Sequence, residues 1–219
     1  MKRTFLLPLL ALIACTIAGC VDQLPTGGNQ TNDVIMPLAV GNRWIGRMSI
    51  TSDRGLTWID AFNDTLEAVG SRRLDGDTWF AMRVNGRDTG EFSNLSDGLY
   101  TMVPGCTCLR AKYPGEAGDL FEIDSMGVLL PDSAAPSWVS VGIEIVATDT
   151  TITVPAGTFT CHLYHRTILG DVDARLINET YEFYAPDIGP IRTDIYTTGL
   201  PKNGEAPDQR WELVEYLLK

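Results

Sequence analysis

Residues 143–168 read IEIVATDTTITV, then PAG, then TFTCHLYHRTI. Residues 143–154 are dominated by Ile, Val and Thr, and residues 158–168 mix β-branched with aromatic side chains. Such side chains favour the pleated, half-buried surface of a strand. Between the two runs, Pro155 presets the backbone and Gly157 frees it, which suits a tight connection. The stretch predicts a long antiparallel hairpin, with Phe159 pinning its turn to a core.

The same signals recur on both sides. In 44–51, Trp44, Met48 and Ile50 share one parity against Arg47, Ser49 and Thr51. Residues 65–72 and 79–84 flank Asp75-Gly76-Asp77, and an Asp-Gly pair supplies a hairpin turn. Residues 99–103, 176–184 and 191–197 read as further strands, the last two flanking a turn at 185–190. Residues 211–218 close the chain as a helix or a strand, with Trp211, Val214 and Tyr216 favouring the strand. The count is roughly nine to eleven strands. After Cys20 no segment repeats with the helical period, and parallel sheets need crossover helices. The predicted fold class is all-β and mainly antiparallel. Its form is a strongly curved sheet, half-barrel or barrel, with few or no helices after the signal peptide.

The chain opens differently. Lys2 and Arg3 precede an apolar run ending at Ile17-Ala18-Gly19-Cys20. A secretory apolar region runs to about 15 residues, whereas a membrane-spanning helix needs about 20. The run reads as a cleaved signal, and its end resembles the lipobox of bacterial lipoproteins. That resemblance implies acylation of Cys20, with palmitate-type chains as a membrane anchor. An earlier box at Leu12-Ile13-Ala14-Cys15 competes with it. Cys20 is preferred because a polar stretch, VDQLPTGGNQTND at 21–33, follows it. The plain alternative is an ordinary secretory signal. The expected organisation is a signal peptide at 1–19, an acylated Cys20 with flexible tether through 34, and a single β-rich domain at 35–219.

Composition narrows the partners. Hydrophobic residues make up 44% of the 219, which is enough for a core. The net charge is -11 and no Lys/Arg cluster is present, so nucleic acid and anionic lipid surfaces are disfavoured. The expected partners are a membrane, through the lipid, and an apolar small molecule or an envelope protein. No nucleic acid and no cofactor are expected.

Chemistry-bearing residues are few. Beyond the signal, the cysteines are Cys106, Cys108 and Cys161. An oxidising compartment favours a bridge among them. The readings are a bridge from one of the first pair to Cys161, a local Cys106–Cys108 bridge, or none. Those three with His165 would make a Cys3His metal set, but the spacing does not specify one and no metal is expected. On a strand, Cys161, Leu163 and His165 share a face that His162 does not. Asp75, Asp77, Asp171 and Asp173 sit in apparent turns, where Asp is expected for backbone reasons. No catalytic motif is present, so no catalytic residues are assigned and no enzyme is expected. A histidine–carboxylate pair in a pocket would argue otherwise. Five aromatics, Trp44, Trp79, Phe159, Tyr181 and Phe183, are candidates to line an apolar ligand cavity, core packing being the plain alternative.

Pro37-x3-Gly41-Asn42-x-Trp44 and Pro114-x3-Gly118-Asp119-x-Phe121 share one pattern. Either they mark two similar halves or the match is coincidental; two copies are too few for a solenoid.

The opening Pro37-Leu38-Ala39-Val40-Gly41-Asn42-Arg43-Trp44 resembles that of uncharacterised bacterial envelope lipoproteins. Their second half is similar to Val154-Pro155-Ala156-Gly157-Thr158-Phe159 and to Ala185-Pro186-Asp187-Ile188-Gly189 here, with a departure at Pro190. The resemblance implies a β-rich envelope lipoprotein, on the outer membrane since Val21 replaces a retention-type Asp. Its function would be non-enzymatic: binding an apolar ligand, or scaffolding. A protein-interaction module of an envelope assembly is the alternative.

Overall fold

The computed structural model describes residues 34–51, 53, 55–103, 106–128, 137–170, 176–196 and 206–219. It contains β1 (Arg43–Ile50), β2 (Ile59–Leu74), β3 (Asp77–Val84), β4 (Arg87–Leu95), β5 (Gly98–Val103) and β6 (Cys106–Lys112). The second half contains β7 (Leu120–Val128), β8 (Ser137–Val154), β9 (Gly157–Gly170), β10 (Leu176–Ala185), β11 (Gly189–Tyr196) and β12 (Gln209–Leu217). All twelve strands form one antiparallel sheet ordered β6-β5-β4-β3-β2-β1-β12-β11-β10-β9-β8-β7. No helix occurs among the described residues.

This order forces the sheet to curl. β6 and β7 are neighbours in sequence but lie at opposite edges. Lys112 and Leu120 are eight residues apart, a reach of about 26–29 Å at full extension. A flat sheet of twelve strands would separate its edges by about 50 Å. Cross-sheet bonds mark the inner face. Tyr164 Oη on β9 donates to the Lys112 carbonyl on β6 at 2.8 Å, and Arg166 Nη2 donates to the Arg110 carbonyl at 3.0 Å. The face carrying Tyr164 and Arg166 is therefore concave. No ladder joins β6 to β7 among the described residues, so the sheet is an open half-barrel.

The Pro-x3-Gly pattern marks a structural repeat. Gly41 and Gly118 both have φ of +92°. Gly41 N donates to the Ala68 carbonyl at 2.7 Å, and Gly118 N donates to that of Ile145 at 2.7 Å. Ala68 N returns a bond to the Asn42 carbonyl at 3.0 Å, and Ile145 N to that of Asp119 at 2.9 Å. Each turn launches a six-strand meander, and Trp44 and Phe121 follow it into the core. The halves pair through β1 and β12, while the equivalent β6–β7 junction stays open.

The predicted hairpin forms, with Val154 opposite Gly157. Two register shifts in β8, between Ile145 and Ala147 and between Ala147 and Thr150, bend it. Its tip lies on β12, where Ala156 N donates to the Leu213 carbonyl at 3.1 Å. Asp75 (φ 53°) and Gly76 (φ 97°) make the foreseen turn, and Asn85 (φ 52°) and Gly86 (φ 78°) repeat it. The Asn-Gly pair was a legible hairpin signal for β3–β4 that the sequence reading missed. β4 and β6 were also missed, being polar or short, whereas the turn at 114–119 launches β7 as its pattern suggested. Residues 209–217 are a strand. Pro190 lies opposite Tyr184 at a register shift, inside β11.

The concave face holds Trp44, Ala68, Met82, Leu99, Ile143, Ile145 and Leu213, each fully buried. At one end the segment 34–38 crosses this interior. Met36 O accepts from Asn94 Nδ2 on β4 at 2.9 Å, and Val34 O accepts from Asp187 N beyond β10 at 2.8 Å. Ile35 and Met36 are thereby buried and close that end.

Candidate functional site

The family-like motifs build the closed end. Asn42 is buried, its Nδ2 donating to the Pro37 carbonyl and its Oδ1 accepting from Lys219 N at 2.8 Å. Trp44 Nε1 donates to the Ile188 carbonyl at 2.6 Å, in the turn that the Ala-Pro-Asp-Ile-Gly stretch forms. Their role is to tie the chain ends to that turn.

Across the middle of the concavity lies a buried ion network. Glu182 on β10 accepts from Arg166 Nε at 3.0 Å and Tyr184 Oη at 3.3 Å, and faces Arg110 Nη2 at 3.6 Å. Arg110 Nε donates to Tyr184 Oη at 3.0 Å, and its guanidinium lies over the Phe92 ring. Burial pushes the Glu182 carboxyl up; the two guanidiniums and the bonds from Arg166 and Tyr184 outweigh it and hold the group below its usual range. The network ties edge strand β6 to β9 and β10, doing what a β6–β7 ladder would do in a closed barrel.

At the far end, here termed the mouth, the described residues leave apolar side chains exposed. Met48 pairs with Phe62 and Ile50 with Ile59, on the same parity as Trp44 and hence on the concave face. Met48 is buried, but Ile50, Ile59 and Phe62 are 37%, 59% and 42% exposed. Trp211, opposite Met48, extends this apolar wall and lies over Gly46, where a Cβ would collide with its indole. Three strands along the same face, on β10, Thr180 Oγ1 and Asn178 Oδ1 are buried with no hydrogen-bond partner among the described residues. The parity of Ile50 with Trp44 was visible in the sequence; the curl that aims it into the mouth was not.

The five aromatics chosen from sequence do not line one cavity. Trp44 is concave and fully buried. Trp79 is buried on the opposite parity from Phe80 and Met82, outside the main core cluster. Phe159 packs edge-on against Tyr216 at 6.3 Å. Tyr181 and Phe183 project from the convex face of β10, since Glu182 and Tyr184 take the concave one. The period-two alternation separates residues that composition alone had grouped.

Cys161 is free and buried on β9, and Cys108 is disulfide-bonded. The bridge to Cys161 therefore does not form; β9 and β6 are separated by the interior of the half-barrel. The Cys106 side chain lies outside the described side chains, and Cys20 outside the described residues. Burial pushes the Cys161 thiol up to about 12. With Cys108 in a disulfide, the Cys3His set is incomplete.

A histidine–carboxylate pair does occur, on the convex face. His165 Nε2 lies 2.5 Å from Glu179 Oε1, and its ring stacks on Tyr181 at 4.6 Å. Its Nδ1 faces Glu144 Oε2 at 4.0 Å. Burial, then the Glu179 charge, push the Tyr181 phenol up to about 12. Nothing in the sequence brought Glu179 to notice.

The fold and mouth define an open antiparallel half-barrel with one plugged end. No family model and no curated protein matches the chain. Two solved structures are similar to it. One, from Bacteroides fragilis, is provisionally described as an exported protein with a YmcC-like fold. It is 13% identical, with 85% of this chain and 100% of that one covered, at a TM-score of 0.44. The other, from Parabacteroides distasonis, is provisionally described as a lipoprotein. It is 15% identical, covering 86% and 100%, at a TM-score of 0.44. Likeness at that level does not establish a family.

Proposed function

We propose that the protein is a lipid-anchored lipoprotein of the bacterial envelope, non-enzymatic, which binds an apolar ligand in the mouth of its half-barrel. One observation carries the binding reading: Ile50, Ile59 and Phe62 lie exposed on the concave face of the sheet. Exposed apolar groups gathered in a concavity mark a binding site more often than a solvated surface. The polar atoms of Asn178 and Thr180 on β10, without a hydrogen-bond partner among the described residues, suit an amphiphile, whose polar end would bond there. The anchor rests on the sequence: the lipobox-like Ile17-Ala18-Gly19-Cys20, with no basic patch to hold an acidic chain at a membrane. Several acyl chains on Cys20 would give stable attachment, which one chain does not. Outer-membrane placement follows from Val21.

Native mass spectrometry of the purified protein, before and after adding a long-chain lipid, tests the ligand; a protein that stays lipid-free in both contradicts it. Metabolic palmitate labelling that survives Cys20→Ala contradicts the anchor. The open edges of β6 and β7 favour a second reading, a protein-interaction module that pairs with a partner strand. Recovery of one specific envelope partner by crosslinking at those edges would support it.

A further inference from the structure

Glu179, Glu182 and Asp194 are buried acids of the described sheet, and two of them are matched with cations. Glu182 meets Arg166 and Arg110. Asp194 meets Arg192 Nη2 at 2.5 Å and Arg210 Nε at 2.7 Å. Glu179, whose side chain is 4% exposed, has no Lys or Arg bound to it among the described residues. Its Oε1 takes His165 Nε2 and the Tyr181 hydroxyl, the latter at 3.3 Å. Its Oε2 is buried with no hydrogen-bond partner among the described residues. His165 and Tyr181 satisfy only the first oxygen. Leaving a buried carboxylate oxygen unpaired is costly, and native folds avoid it.

The surroundings fit a cation. Tyr196 lies directly across the ladder from Glu179, and the Tyr181 and Tyr196 rings meet at 5.8 Å and 74°, forming two walls of a corner. Aromatic faces attract ammonium groups. Glu144, 47% exposed on the far side of His165, adds a second negative charge at the rim. Arg192 and Arg210 lie near this corner but are held by Asp194.

We infer that Glu179, Tyr181 and Tyr196 form a binding site for a primary ammonium group on the convex face, the ligand's N–H supplying the partner that Glu179 Oε2 lacks. This site is separate from the concave mouth and does not rest on lipid binding there. A quaternary ammonium would meet the rings but could not donate to Oε2.

Calorimetric titration of the purified protein with ethanolamine, alongside NMR of the tyrosine rings, tests it. Saturable ethanolamine binding with shifts at Tyr181 and Tyr196 is expected, and choline should bind at least about tenfold more weakly, the worth of one charge-assisted bond. Glu179→Gln should weaken ethanolamine by about tenfold or more. Glu144→Gln, at an exposed position that leaves folding intact, should weaken it by roughly two- to fivefold. Glycerophosphoethanolamine separates the sources: binding equal to ethanolamine marks a lipid head group, and poorer binding a free amine, both consistent with the site. Absent saturation with the wild-type protein, equal binding of choline, or an unchanged affinity in a folded Glu179→Gln would overturn the assignment.

Discussion

Replacing Glu182 by Gln tests the ion network that holds the open edge. The change is isosteric and keeps an acceptor for Arg166 Nε at 3.0 Å, so it removes charge and little else. It leaves Arg110 and Arg166 facing one another across the concavity without their counter-ion. Breaking a buried pair on one side costs about 3–5 kcal/mol. For a domain of this size that lowers Tm by roughly 10 °C. The pH dependence adds a second check. The folded carboxyl is held below its ordinary value of 4.5, so its contribution is fully present above that value. It is lost as pH falls through the depressed folded value. The gap between wild type and Glu182→Gln should be widest at neutral pH and narrow steadily below about pH 4.5. Urea unfolding at several pH values measures the gap, and hydrogen exchange reports whether β6 amides open first in the variant. A gap under about 1 kcal/mol at pH 7, with β6 exchange unchanged, would refute the latch.

Other parts of the fold give simpler expectations. Trp44→Phe removes the bond to the Ile188 carbonyl and should cost about 1–3 kcal/mol in chemical unfolding. Gly46→Ala forces a methyl into the Trp211 indole and should cost about 1–3 kcal/mol, a cost that Trp211→Leu in the same chain would relieve. Cys161, buried with its thiol pushed up to about 12, should resist a thiol reagent at pH 8 in the native state and react promptly in denaturant.

The sequence made the strand content legible because its strong signals are local. The Thr/Ile/Val run at 143–154, the Asp75-Gly76 turn and the Pro155-Gly157 connection each state a backbone preference that the fold keeps. Weak strands escaped notice: β4 reads RDTGEFSNL, mostly polar and half-exposed, and only its Asn85-Gly86 turn announces it. The repeat was visible as a pattern, yet only the matching bonds of Gly41 and Gly118 separate it from coincidence. Site residues were harder because they depend on face and curvature. Tyr181 and Trp44 look alike in sequence and lie on opposite faces. Ile50 and Phe62 look like core and lie at a mouth. Glu179 draws attention only once its neighbours show which acids have arginines and which one does not.

The reading of the half-barrel as a receptor for an apolar ligand stands or falls on where that ligand sits. Titration of a fluorescent long-chain acyl probe into wild type, Phe62→Asp and Tyr181→Asp proteins measures this directly. The account predicts saturable binding by wild type, loss in Phe62→Asp at the mouth, and retention in folded Tyr181→Asp on the convex face. No saturable binding by wild type, or equal binding by Phe62→Asp, would contradict it.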